Sequence, residues 1–124
     1  MKIILTQKEA LEYFHNALCN GMDYITGHGI AITWNKREYQ EARKDLKLAC
    51  HEDVLIQILK DGGRLYLQDY EGDEERVSII LQDVYNRVGN TPIEHLSDMI
   101  NGQDDAITSD VIIQTVFLQD IIYG

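Results

Sequence analysis

The residues able to do chemistry fall in four short stretches. "CHED", residues 50 to 53, sets a thiol, an imidazole and two carboxylates side by side, and "GHG", residues 27 to 29, holds one histidine between glycines. "DYEGDEE", residues 69 to 75, and "NGQDDAITSD", residues 101 to 110, are rich in carboxylates. A metal ion or an activated nucleophile needs such groups to converge on one point. Neighbours on a helix point about 100° apart, so Cys50, His51, Glu52 and Asp53 cannot all face one ion. Glu52 and Asp53 read instead as first-turn acids that complement a helix dipole. A Cys50 nucleophile would need His28 or His95 brought to it by the fold.

An imidazole such as that of His28 is a ligand or general base near neutral pH, and flanking glycines let the backbone approach a substrate. A base also needs an orienting partner, and the nearby sequence offers only Asp23. Gly27 and Gly29 are therefore expected to serve as backbone devices before a strand, with His28 as the one candidate for ligand binding. The 69–75 stretch spaces acids at alternate positions as a calcium loop does. Its glycine is fourth where such a loop needs it sixth, and its twelfth residue is Ile80 instead of a bidentate glutamate. An acidic hairpin turn is the expectation. The chain carries no phosphate-cradling glycine loop, serine elbow, Cys-x-x-Cys or His-Glu-x-x-His, so no metal, no cofactor and no common enzyme class is expected.

Charge is more informative. Residues 1–65 carry nine acids and nine bases, whereas residues 66–124 carry twelve acids and two bases, Arg76 and Arg87, so the whole net charge of −10 lies in the second half. A field of that sign repels nucleic acid and anionic lipid and attracts basic surfaces. The function expected is that of a non-enzymatic acidic interaction or regulatory protein that binds a basic protein partner, as an inhibitor or a nucleic-acid charge mimic. The residues assigned to that surface are Asp69, Glu71, Asp73, Glu74, Glu75, Asp104 and Asp105. Two alternatives stand beside it: a small hydrolase or ligand- or nucleotide-binding protein using His28 with the acidic loops, and a homo-oligomer subunit assembled through residues 111–123. No direct contact with nucleic acid or membrane is expected. The apolar start "MKIIL" is too short for a signal peptide, and two cysteines without paired spacing suit a reducing cytoplasm.

The elements that must position these residues follow from caps and periodicity. At 124 residues the chain is expected to form one domain that buries roughly two-thirds of its unfolded surface. "MKIIL" reads as a strand. Thr6 and Glu9 form a capping box that opens a helix with Leu11, Phe14 and Leu18 inward, stopped by Asn20-Gly21. Ile30, Ile32 and Trp34 alternate as a strand, with Trp34 expected in the core. Asn35 caps a second helix carrying Tyr39, Ala42, Leu46 and Ala49, and a third runs from about Glu52 with Val54, Leu55, Ile58 and Leu59 inward. "RLYLQD" and "RVSIIL" form a hairpin, and Leu81, Val84, Tyr85 and Val88 return to helical spacing. Thr91-Pro92-Ile93-Glu94 opens a helix with Ile93, Leu96, Met99 and Ile100 inward. The segment from Ser109 onward, apolar nearly all round and rich in branched residues, fits a central buried helix with Thr108 as cap by its length and a buried strand by its composition, and the helix is the expectation. The fold class is α+β: a small single domain with a three- to four-stranded, mostly antiparallel sheet packed against about five to six helices.

Overall fold

The computed structural model describes residues 3–44, 50–71 and 76–123. These form α1 (Gln7–Ile25), β1 (Ile30–Trp34), α2 (Lys36–Lys44), α3 (His51–Lys60), β2 (Leu65–Asp69), β3 (Val77–Ile79), α4 (Leu81–Arg87), α5 (Ile93–Ile100) and α6 (Ala106–Leu118). Single 3₁₀ turns lie at Thr26–His28 and Val88–Asn90. The architecture is α+β, with three antiparallel strands in the order β1-β2-β3. Ile30 faces Asp69, Ile32 faces Leu67, and Leu65 sits between Trp34 and Ile79, which puts Ile30, Ile32, Leu65, Leu67 and Ile79 on one buried face. No described helix is long and apolar enough to cross a membrane.

The core centres on α6, whose residues 108–117 are all buried, as a helix apolar on every side must be. Its most extensive contact is with α1, where Phe14 and Phe117 meet ring to ring at 6.3 Å. Burying that helix also buries polar groups: Thr115 Oγ1 donates to Val111 O at 2.7 Å and Gln114 is bonded to the returning chain end, while the Ser109 hydroxyl has no partner among the described residues. The 111–117 part of the proposed oligomer segment thus lies inside the monomer. Within 111–123 only residues 118–123 reach the surface, with Ile121 and Ile122 exposed.

The Thr6–Glu9 box, the Asn35 cap and the hairpin arms form as expected. Several other expectations are corrected. Residues 3–6 form no strand, because the sheet takes no fourth partner; Ile3 and Leu5 pack on the core and Ile4 points to solvent. Helix α1 runs through Asn20-Gly21 to Ile25, since Gly21 serves close packing against Ser109 of α6. The cap of α6 is Asp105, whose carboxylate accepts the Thr108 N–H at 2.8 Å, while Thr108 itself is buried. Thr91 caps nothing: its hydroxyl is buried without a partner among the described residues, and α5 begins after Pro92. Ile93 and Ile100 are exposed, so α5 buries only Leu96 and Met99, the stripe nearest its packing contact with α6. Trp34, expected in the core, is half-buried at its edge, where it stacks on Tyr39 at 5.4 Å and meets His51 edge-on. Leu46 and Ala49 lie outside the described residues.

Candidate functional site

The turn after α1 builds the site. Its last residue is His28, and Gly29 follows in the left-handed region at φ +78°, its N–H donating to Thr26 O at 3.0 Å. That geometry brings the imidazole to α6, with Nε2 3.3 Å from Asp110 Oδ2 and the ring edge-on to Tyr24 at 5.6 Å. The partner that orients His28 is not the nearby Asp23 but Asp110, 82 residues away. Asp110 is buried, and a buried carboxylate is costly unless paired and hydrogen-bonded. Its second oxygen accepts from Gln114 Nε2 at 2.9 Å.

The network continues outward. Fully buried Gln114 also donates to Tyr123 O at 2.7 Å, and its carbonyl oxygen accepts the N–H groups of Ile122 and Tyr123, each at 2.9 Å. The Tyr123 hydroxyl donates to Asp69 Oδ2 at 2.6 Å. Asp69 ends β2 opposite Ile30, and the next residue, Tyr70, donates its N–H to Gly29 O at 2.8 Å. Glu71 then lies across Gly29, so closely that a Cβ there would sit 2.5 Å from Glu71 Cδ. His28 and Asp69 therefore belong to one hydrogen-bonded network, and Glu71 lies against the residue that follows His28.

The other acidic loop reaches the same end of α1. Asp104 accepts from Asn20 Nδ2 at 2.9 Å, one helical turn before Tyr24. Asp105 is occupied as the α6 cap, and the Thr108 N–H holds its carboxyl below the usual range. Asp73, Glu74 and Glu75 lie outside the described residues. The last turn of α1 holds no basic residue, so the partial negative charge of its carbonyl end is reinforced by Asp23, Asp104 and Glu71.

The "CHED" stretch splits as helical geometry requires. His51 turns to Tyr39, whose hydroxyl is 2.9 Å from its Nδ1, and to Trp34 at 4.6 Å. Cys50 and Asp53, three residues apart, share another face directed at His15 of α1, whose Nε2 lies 2.7 Å from Asp53 Oδ1. The histidine brought to Cys50 is thus His15, while His95 pairs with Thr108 Oγ1 at 3.3 Å. A hydrogen bond from the Cys50 side chain, then that from His15 and its charge, hold the Asp53 carboxyl below its ordinary value against the opposing effect of burial.

Sequence reasoning passed over His15, Gln114 and Tyr123, and held Asp110 only as one acid of the 101–110 stretch set beside His28. A signal existed for two of them: Asp110 and Gln114 stand one turn apart in a segment otherwise apolar enough to be buried, where polar residues must have partners. Comparison with protein-family models, with curated proteins and with solved structures finds no match to this chain.

Proposed function

We propose that the protein is a non-enzymatic interaction protein whose acidic half docks a basic protein partner, and that a lysine or arginine of that partner seats at the carboxylate-rich end of α1 beside His28. The observation that carries this reading is the placement of Glu71 against Gly29, just past the end of α1, and of Asp104 on Asn20 near that end, in a helix whose last turn has no basic residue. The bases of the acidic half are engaged elsewhere: Arg76 lies over the Tyr66 ring at 4.1 Å, and Arg87 bonds Asp83 and the Val116 carbonyl. Uncompensated carboxylates at a carbonyl end repel one another, and an incoming cation relieves that repulsion. A blocking or inhibitory role, with the acids standing in for phosphates, belongs to the same reading, as does a cytoplasmic location where such partners are abundant.

The test is binding of an oligo-arginine peptide followed across salt concentrations. Screening shortens the reach of charge from about 10 Å at 0.1 M to about 3 Å at 1 M salt, so affinity should fall steeply over that range. The triple reversal Glu71→Lys, Glu74→Lys and Glu75→Lys should abolish it. Affinity that ignores both salt and charge reversal refutes the proposal.

One observation favours a second reading, a small ligand-binding or hydrolytic site: an imidazole fixed by a buried carboxylate, as His28 is by Asp110, is the orientation a general base requires. A thermal-shift screen with nucleotides separates the two, because only this second reading predicts a raised melting temperature.

A further inference from the structure

We infer that His15, Cys19, Cys50 and Asp53 bind a thiophilic divalent cation of the zinc class, clamping α1 to the start of α3. None of these residues belongs to the His28 site. The ligand atoms of His15, Cys50 and Asp53 all lie within 4.8 Å of one another, the only such group of histidine, cysteine and acidic residues among those described. Cys19 stands outside that group; its Sγ lies 3.9 Å from the same His15 Nε2 and completes the set only by turning toward Cys50 and Asp53. Ligand atoms arranged tetrahedrally around zinc stand roughly 3.3–3.8 Å apart, given the metal's usual bond lengths. The Cys19–His15 separation nearly fits already, and the 2.7 Å His15–Asp53 contact has to open by at least about 0.6 Å. Both cysteines are exposed and His15 and Asp53 partly so, which leaves their side chains room to move.

Local structure explains the grouping. His15 and Cys19 stand one turn apart on α1, while Cys50 and Asp53 occupy the cap and third positions of α3. Two thiolates, an imidazole and a carboxylate are a soft to borderline donor set, suited to zinc and unlike the all-oxygen shells of calcium and magnesium. The positive end of α3 opposes a cation, but two thiolates, Asp53 and the adjacent Glu52 reverse the local sign. His15 and Asp53 also line an open groove of about 370 Å³, which they share with Glu12 and with two lysines, Lys8 and Lys60.

The test is titration of the reduced, metal-free full chain with cobalt(II), read by thiolate-to-cobalt charge-transfer absorption and by the visible bands of tetrahedral cobalt. Wild type should bind one ion per chain, and zinc should bleach the spectrum. Cys19→Ser and Cys50→Ser should each lower the charge-transfer intensity, and the double variant should lose it. His15→Ala should weaken binding by more than the roughly 10- to 100-fold that loss of an outer-shell partner costs. Circular dichroism on each variant separates loss of binding from loss of fold, and zinc should raise the melting temperature of wild type but not of the double variant. A folded wild type without a charge-transfer band, or a band undiminished in either single serine variant, overturns the assignment.

Discussion

Gly21 of α1 lies so close to Ser109 of α6 that a Cβ added at Gly21 would sit 2.8 Å from the Ser109 Cβ. The long buried helix can approach α1 only because this position has no side chain. Gly21→Ala gains about 1 kcal/mol of helix propensity, yet the overlap should cost about 1–3 kcal/mol, so the net effect is destabilising. Urea denaturation measures it. Adding Ser109→Gly should restore part of the loss, whereas an unchanged double variant would place the strain elsewhere.

The two glycines around His28 should behave differently. Nothing lies within 4 Å of a Cβ at Gly27, while Gly29 has φ +78° and is blocked by Glu71. Gly27→Ala should be nearly neutral, and Gly29→Ala should cost at least the roughly 1–2 kcal/mol of a left-handed non-glycine residue. Equal thermal stability of the two variants would remove the backbone role assigned to Gly29.

His28→Ala leaves the buried Asp110 carboxylate with Gln114 as its remaining partner from the network. An incompletely satisfied buried acceptor costs about 1–3 kcal/mol. Asp110→Asn in the same background should recover most of that loss, because the amide carries no charge to neutralise. Chemical denaturation of the single and double variants measures the coupling, and strictly additive effects would mean that the two residues do not interact.

Asp105 links stability to pH. Its carboxyl is lowered in the folded state by the Thr108 N–H, so its contribution is present above the unfolded value of about 3.9 and is lost as pH falls through the folded value. Asp105→Asn keeps the cap but cannot titrate. The wild-type melting temperature should therefore drop more steeply than that of the variant below about pH 4, where an ordinary aspartate takes up its proton. Parallel profiles would remove Asp105 from the acid transition.

The elements were legible wherever local chemistry decides them. The Thr6–Glu9 box, Asn35, the alternation of residues 30–34 and the apolar run of α6 each act within a few residues. What escaped was decided at long range. Gly21 reads as a stop until Ser109 is seen against it, and Ile93 and Ile100 read as core until the position of α6 leaves them outside. The candidate site was half legible: His28 and the acids could be named, but their meeting depends on the β1–β2 register. The pairings His28–Asp110 and His15–Asp53 span 82 and 38 residues, and no periodicity reports contacts of that length.

The most direct measurement of the docking claim is a residue-resolved map of amide chemical shifts during titration with an oligo-arginine peptide at low salt. Shifts should concentrate at Asp23, Gly29, Tyr70, Glu71 and Asp104, with the His28 ring moving alongside, and should vanish at high salt. Saturable shifts confined to other surfaces, or none at all, would contradict the assignment of the carbonyl end of α1 as the place where a basic partner docks.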